Sequence, residues 1–381
     1  MNRLSTMLLA LILPVVSWSQ ILHETVNSQK LGEKREIKIQ LPRNYEQNSE
    51  KRYPVVVVLD GDYLFEPVAG MVDYYSYWKD VPEMIVVGIN QDGIRMEDTS
   101  YGENSLPADK GAKFFEFIGM ELLASLDQKY RTANFRMIVG HDFTANFINY
   151  YLLKQEPIFK GYINLSPDLA PEVANWVTDA LESSESKKWF YLATSNEDIP
   201  ALKSGIASFD NQLKNINNKL VSYKFEEFTG ESHYSLVGKA IPSAISSMFE
   251  IYRPISTKDY NEILLQTSIS PTQYLTEKYE SIEELYGLKR QISINDFMAV
   301  HNAIEKTRNW EAYKDLYKLA FDHYPGTMLG TFFEARHEEE TGNPKKAMRM
   351  YQNAYGQKSI AFLDADYMLE KADAIKKDFG Y

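Results

Sequence analysis

Residues 136–146 read RMIVGHDFTAN and decide the fold. A short apolar run ends at Gly140 and an amphipathic stretch begins at Phe143, which predicts a strand, a sharp turn and a helix. The same alternation runs from about Lys34 to Tyr252. Strands are predicted at 35–41, 54–59, 84–89, 136–139, 161–165, 189–193 and 221–228, and helices at 113–130, 143–153, 201–220 and 236–251. This order predicts an α/β fold with a doubly wound, mostly parallel sheet.

The strand pattern stops after Arg253-Pro254, and the remainder predicts a small all-helical domain. Tyr317 recurs 34 residues later as Tyr351, and the same spacing relates Asn309 to Asn343 and Ala320 to Ala354. A 34-residue period is typical of tetratricopeptide repeats. A generic helical cap packed on the first domain is the alternative. The predicted domains are a signal peptide at 1–19, an α/β domain at 20–252 and a helical, tetratricopeptide-like domain at 255–381.

Composition and the N-terminus limit the location and the partners. The formal net charge of −12 disfavours nucleic acid and anionic membranes as partners. The chain has no cysteine, so no disulfides are expected. Arg3 followed by the apolar run Met7–Val16 predicts a signal peptide. That run is too short for a membrane span, so we expect a soluble exported protein, periplasmic or secreted.

The turn at Gly140-His141-Asp142 lies where α/β-hydrolases carry their nucleophile, at a junction of strand and helix. His233 follows the last predicted strand, where that architecture supplies its histidine. Of six histidines, only His141 and His233 fall inside the alternating region. His141 precedes the turn residue, so His233 is the candidate base.

Several segments in order resemble the putative-esterase family, which includes siderophore-ester hydrolases, feruloyl esterases, S-formylglutathione hydrolases and mycolyltransferases. The resemblance spans about residues 34–252. It is carried by Arg52-Tyr53-Pro54, Leu59-Asp60-Gly61-Asp62, Met84–Asn90 with Arg95, Phe115–Tyr130, Gly140-His141, Leu165-Ser166-Pro167 and Ser232-His233.

The resemblance also implies site residues. The acidic member of the triad follows the strand that ends near Thr194, which makes Glu197 the candidate and Asp198 the alternative. The oxyanion hole would use the backbone N–H groups of Phe143 and of the region near Asp62. No metal or cofactor is implied.

The chain departs from the family at the turn itself. Where the family has Gly-His-Ser-x-Gly-Gly, this chain has Asp142 for the serine and Thr144-Ala145 for the glycines, whose β-carbons should loosen or reshape the turn. A carboxylate that attacks an ester carbonyl forms an anhydride, so ordinary ester hydrolysis is not expected. Attack on a saturated carbon gives a stable ester and stays open.

Three interpretations of Asp142 follow. It is a pseudo-active-site residue held by the helix N-terminus and paired with His233, or a catalytic nucleophile, or a bystander in a hydrolase that uses other groups. Among nearby hydroxyls, Ser166 is expected to pack and Ser235 to cap the helix that begins at Leu236. The binding protein and the active hydrolase are the two competing functions.

An aromatic cluster is the best indication of a ligand. Tyr74, Tyr77 and Trp78, with Tyr63 nearby, fall between predicted strands on the side where substrate loops gather. They suit a platform for a small ester, sugar or aryl ligand, with ordinary packing as the alternative. The helical tail is expected to contact an exported protein or the first domain itself.

Overall fold

One eight-stranded sheet organises the residues that the computed structural model describes, which are 21–266 and 269–381. The predicted signal peptide lies outside the described residues. The strand order is β1-β2-β4-β3-β5-β6-β7-β8, with β2 antiparallel to β1 and β4 and the other neighbours parallel. The strands are β1 (Ile21–Asn27), β2 (Lys34–Gln40), β3 (Tyr53–Val58), β4 (Ile85–Ile89), β5 (Thr132–His141), β6 (Gly161–Leu165), β7 (Lys188–Glu197) and β8 (Val221–Ser232). The predicted α/β class with a mostly parallel sheet is confirmed.

Burial explains which strands are central. Every residue of β3, β4 and β6 is buried, as apolar runs covered on both faces should be. β1 is at one edge of the sheet and has no fully buried residue, which is why its weak alternation was not predicted as a strand.

Helices cover both faces of the sheet. They are α1 (Phe65–Tyr77), α2 (Arg95–Asp98), α3 (Asp109–Glu116), α4 (Leu123–Lys129), α5 (Phe143–Ile148), α6 (Val173–Glu182), α7 (Pro200–Leu213) and α8 (Leu236–Met248). The helix predicted at 113–130 is interrupted by a π-helical segment, Phe117–Leu122. The helix α1 was not predicted.

The C-terminal region is helical, as predicted. Its helices are α9 (Thr257–Asp259), α10 (Pro271–Tyr286), α11 (Ile294–Thr307), α12 (Tyr313–His323), α13 (Met328–Glu340), α14 (Pro344–Asn353) and α15 (Ala365–Phe379). Tyr317 lies in α12, and Tyr351 lies in α14 at the equivalent place. Asn309 and Asn343 both stand at helix N-caps. The 34-residue spacing therefore relates two alternate helices, α12 and α14, each of which packs on α13.

The helical tail shares one hydrophobic core with one face of the sheet. Tyr286 of α10 packs its ring 5.0 Å from that of Phe135 and 5.5 Å from that of Trp189, at the beginnings of β5 and β7. Its hydroxyl donates to the carbonyl of Met248 at 2.8 Å. The helical tail and the first domain are therefore packed around one hydrophobic core.

No helix within the described ranges is long and apolar enough to cross a membrane.

Candidate active site

The candidate residues meet at the carboxyl ends of the parallel strands, where open α/β sheets bind their ligands. They come from the segments that follow six of the strands. They are Asp60 and Asp62 after β3, Arg95 after β4, Asp142 after β5, Ser166 and Asp168 after β6, Asp198 after β7 and His233 after β8.

The turn between β5 and α5 keeps the sharp geometry of a nucleophile elbow. Asp142 has φ 58° and ψ −119°, a conformation that side chains rarely adopt. A β-carbon on Gly140 would lie 2.5 Å from the carbonyl oxygen of Thr144, so α5 sits directly on the strand. The loosening expected from Thr144 and Ala145 is not observed, because both side chains are buried beneath the turn. The Thr144 hydroxyl accepts from the His141 N–H at 2.9 Å and donates to Asp60 at 2.6 Å.

The Asp142 carboxylate is paired with Arg95, whose Nη1 lies 3.1 Å from Oδ2. Its side chain makes no hydrogen bond to the N-terminus of α5. Among the described residues, His233 forms an ion pair with Asp198 and has none within 4.0 Å with Asp142. The expected pairing of Asp142 with His233 is therefore wrong, because the carboxylate turns toward the guanidinium.

Arg95 is itself held by Asp60, which is buried. Arg95 Nε donates to Asp60 Oδ1 at 2.7 Å, and Nη2 donates to Oδ2 at 3.1 Å and to the His141 carbonyl at 2.6 Å. Its guanidinium lies 5.5 Å from the centroid of the Phe143 ring. Burial raises the pKa of Asp60 above its ordinary value, although Arg95 and Thr144 oppose the shift. The cation is thus fixed between two carboxylates.

The acidic partner of His233 is Asp198, the alternative candidate, and not Glu197. His233 Nδ1 lies 2.8 Å from Asp198 Oδ1, whereas the Glu197 side chain is exposed. The strand β7 continues through Glu197 with a register shift between Ser195 and Glu197. This bulge extends β7 to Glu197, so the next residue, Asp198, turns inward.

Asp198 is stabilised in its ionised form by several donors. Ser166 and Thr194 donate to its Oδ2, at 2.5 and 2.8 Å, and the Ile199 N–H donates to Oδ1 at 2.8 Å. Burial opposes ionisation, but His233 and these donors outweigh it and hold the pKa of Asp198 below its usual range. Ser166 is fully buried on the Nδ1 side of His233, 3.1 Å from that nitrogen. Ser166 therefore supports the pair through hydrogen bonds.

His141 lies behind His233, with ring centroids 4.5 Å apart. Its Nε2 donates to the His233 carbonyl at 3.1 Å, and its Nδ1 lies 2.9 Å from the hydroxyl of Tyr63. Burial and the neighbouring imidazole lower the pKa of His141 to about 3. His141 is therefore a neutral support for His233.

The two expected oxyanion-hole groups remain available. Within residues 21–266 and 269–381, neither the Phe143 N–H nor the Asp62 N–H donates to another group of the chain. The loop that carries Asp62 is fixed because its carboxylate accepts from the Gln91 N–H at 2.6 Å and the Gly61 N–H donates to Ile89 at 2.8 Å.

Two residues that were not predicted also border the site. The Asp168 N–H donates to the Asp142 carbonyl at 3.3 Å. Burial and the charge of Asp142 raise the pKa of Asp168. Tyr234 is 77% exposed, and its ring centroid lies 5.0 Å from that of His233. Tyr234 directly follows His233 in the sequence, and this position is the signal from which its place at the site could have been predicted.

Of the four aromatic candidates, only Tyr63 lies at this edge of the sheet. Tyr74, Tyr77 and Trp78 lie at or just after the end of α1. This 13-residue helix runs back along the sheet for about 20 Å. These three side chains therefore do not join the candidate active site, contrary to the sequence-based expectation.

A strained turn after the central strand, with a His–Asp pair on later loops and open backbone donors, defines an α/β-hydrolase. Residues 28–236, more than half of the chain, match the family described as "Putative esterase". The chain belongs to that family.

Solved structures share this fold. An uncharacterised protein from Capnocytophaga ochracea is 29% identical, with a TM-score of 0.84 over 94% of this chain and 100% of that one. An IroE-like serine hydrolase from Shewanella oneidensis is 22% identical, with a TM-score of 0.60 over 78% and 98%. The siderophore hydrolase EstB from Aspergillus nidulans is 15% identical, with a TM-score of 0.52 over 62% and 97%. The last two show likeness of fold. A comparison with curated proteins gives no significant match.

Proposed function

We propose that this protein is an exported, catalytically impaired member of the esterase family that binds an ester-like ligand at the carboxyl edge of its sheet. In this proposal Asp142 replaces the nucleophilic serine. Export is inferred from the N-terminal apolar run.

The observation that carries the proposal is the ion pair between Asp142 and Arg95. A carboxylate neutralised by a guanidinium is a weak nucleophile, and Asp60 holds that guanidinium in place. Attack on an ester carbonyl would also produce an anhydride. The same pairing argues against Asp142 as a nucleophile toward a saturated carbon.

Retention of binding is supported by the groups around the elbow. The Phe143 and Asp62 N–H groups are unused donors for a carbonyl oxygen. Tyr63 and Tyr234 are exposed beside them and provide apolar surface with a hydroxyl at its edge. These features suit a small ester or aryl ligand.

Retention of the His233–Asp198 pair favours a second candidate, a slow hydrolase that acts without Asp142 as nucleophile. Nε2 of His233 would take a proton from water while the water oxygen bonds to the acyl carbon. The C–O bond to the alcohol would then break, and the protonated imidazole would return the proton to the leaving oxygen.

Hydrolysis of p-nitrophenyl acetate and butyrate by the mature chain distinguishes the impaired enzyme from the slow hydrolase. We expect weak or absent wild-type activity and at least a tenfold gain in Asp142→Ser, because Asp198 still orients His233 and Asp60 still binds Arg95. The matched controls are Asp142→Asn, which removes the charge without adding a nucleophile, and Asp142→Ser with His233→Ala, which should lose the gain.

Strong wild-type activity that disappears in Asp142→Asn would sink the impaired-enzyme proposal in favour of a catalytic aspartate. Wild-type activity that survives in Asp142→Asn but disappears in His233→Ala would favour the slow hydrolase.

The helical tail is also proposed to contact another exported protein. Tyr355 and Phe379 expose 69% and 57% of their surface there. Tyr355→Glu and Phe379→Glu should reduce chemical cross-linking to that partner in whole cells without lowering the Tm; an unchanged cross-linking pattern would count against the proposal.

A further inference from the structure

A cavity of about 540 Å³ lies between the α/β domain and the helical tail. One wall is the end of α1 with the residues that follow it, Tyr77, Trp78 and Lys79. The opposite wall includes Arg290 and Asn295 of the tail. We call this cavity the interdomain cleft. It lies at the opposite end of α1 from the elbow.

Two aromatic side chains are open to solvent in the interdomain cleft. Trp78 is 60% exposed and Tyr77 is 58% exposed. Their ring centroids are 5.1 Å apart and their planes meet at 84°, so the two rings form perpendicular faces. Arg43 lies 5.3 Å from the Tyr77 centroid and steadies that ring. Large aromatic surfaces grouped in a concavity are typical of a ligand site.

Two cations in the cleft have no carboxylate partner. In the described ranges, no carboxylate lies within 4.0 Å of the Lys79 ammonium or the Arg290 guanidinium. Arg290 is instead fixed by the ring of Tyr252, 4.0 Å away, and by a hydrogen bond to the Tyr252 carbonyl. By contrast, Lys51 in the same cleft is paired with Glu83. Unneutralised cations in a chain with net charge −12 provide a local site for an anion.

The cleft also offers free amide groups. Within the residues that the structure describes, the side chains of Asn44 and Asn295 make no hydrogen bond to the chain. A pyranose ring presents an apolar C–H face to an aromatic ring and hydroxyls to amides. A uronic acid adds a carboxylate for a cation.

We propose that the interdomain cleft binds an acidic oligosaccharide built of uronic acid units. Trp78 and Tyr77 contact the sugar faces, Lys79 and Arg290 neutralise the carboxylates, and Asn44 and Asn295 bind hydroxyls. The site is separate from the elbow and does not depend on whether the elbow is catalytic.

Isothermal titration calorimetry of the full mature chain tests the proposal with hexamers of galacturonate, mannuronate and guluronate, and with neutral cellohexaose. At least one uronate hexamer should bind with a Kd below about 1 mM, and cellohexaose should bind at least tenfold more weakly. Trp78→Ala should weaken uronate binding about tenfold. Lys79→Met should weaken it severalfold and reduce its dependence on salt.

Matched controls test whether the oligosaccharide binds in the interdomain cleft. Tyr355→Ala removes an aromatic outside the cleft that is at least as exposed as Trp78, and Asp142→Asn alters the elbow. Neither should change binding, and thermal unfolding should show that Trp78→Ala remains folded. The proposal is overturned if no uronate hexamer binds, if cellohexaose binds equally well, if Trp78→Ala binds like the wild type, or if Asp142→Asn abolishes binding.

Discussion

Replacing Arg95 with methionine should destabilise the protein, because it removes the cation that pairs with both Asp60 and Asp142. Methionine retains much of the length of the arginine stem, so packing changes little. The substitution deletes two hydrogen bonds to Asp60, one to Asp142 and one to the His141 carbonyl.

The size of the effect follows from burial. Asp60 is 1% exposed and the Arg95 side chain is 26% exposed. Removing one partner of a buried pair costs about 3–5 kcal/mol, and the partial exposure of Arg95 places the expectation near 3 kcal/mol. Arg43→Met is the matched control, because Arg43 forms a similar forked pair with Asp73 but is 50% exposed. We expect it to cost less than about 1 kcal/mol.

The loss of unfolding free energy in Arg95→Met should depend on pH. The pKa of Asp60 is raised in the folded protein, so its contribution to stability is present below its unfolded pKa and is lost as pH rises through the folded value. Without Arg95 that pKa rises further, and the loss extends to higher pH. Urea unfolding at pH 4.5 and pH 8 should therefore show a larger deficit at pH 8.

Two results would refute this reasoning. One is a deficit below about 1 kcal/mol at pH 8, equal to that of Arg43→Met. The other is the same deficit at both pH values, which would mean that ionisation of the carboxylates is not involved. Asp60→Asn combined with Arg95→Met should recover part of the loss, since it removes the unpaired charge.

Three further outcomes test the architecture. Gly140→Ala should cost about 2 kcal/mol or more in urea unfolding because its methyl group would meet backbone of α5 at 2.5 Å, while Gly205→Ala, with open space around it, should not destabilise. The pKa of Asp198 is lowered on folding, so the stability that its carboxylate contributes is lost as pH falls through the pKa of the folded protein. Asp198→Asn should therefore flatten the acid side of the plot of unfolding free energy against pH, and Glu197→Gln should not. Tyr286→Ala should cost about 3–5 kcal/mol and lower the melting of both domains in one calorimetric transition; two separate transitions would contradict the shared core.

The fold was predictable because its signals are local. Buried strands such as β3 and β6 are continuous apolar runs, and the junction at Gly140 shows both the end of a strand and the start of a helix. His233 was found for the same reason, since it directly follows a strand. The 34-residue spacing of Tyr317 and Tyr351 similarly reflects the recurrence of a helix, α12 and then α14, with α13 between them.

The failures came from features that sequence patterns do not carry. Glu197 was preferred to Asp198 because the bulge in β7 shifts the end of that strand by a few residues. The partner of Asp142 depends on which loop lies across the sheet edge, and Arg95 is 47 positions away. The aromatic cluster was misplaced because α1, with only four buried residues, was not recognised as a helix.

The shared core has a consequence for how the chain is made. The helix α10 contacts the beginnings of β5 and β7, yet it is synthesised after every strand. At ribosomal speeds of about 5–20 residues per second, the segment from Arg253 to Tyr286 takes on the order of a few seconds to appear. Throughout that interval Phe135 and Trp189 lack the Tyr286 ring, so this apolar surface of the nascent chain is covered only when α10 has emerged.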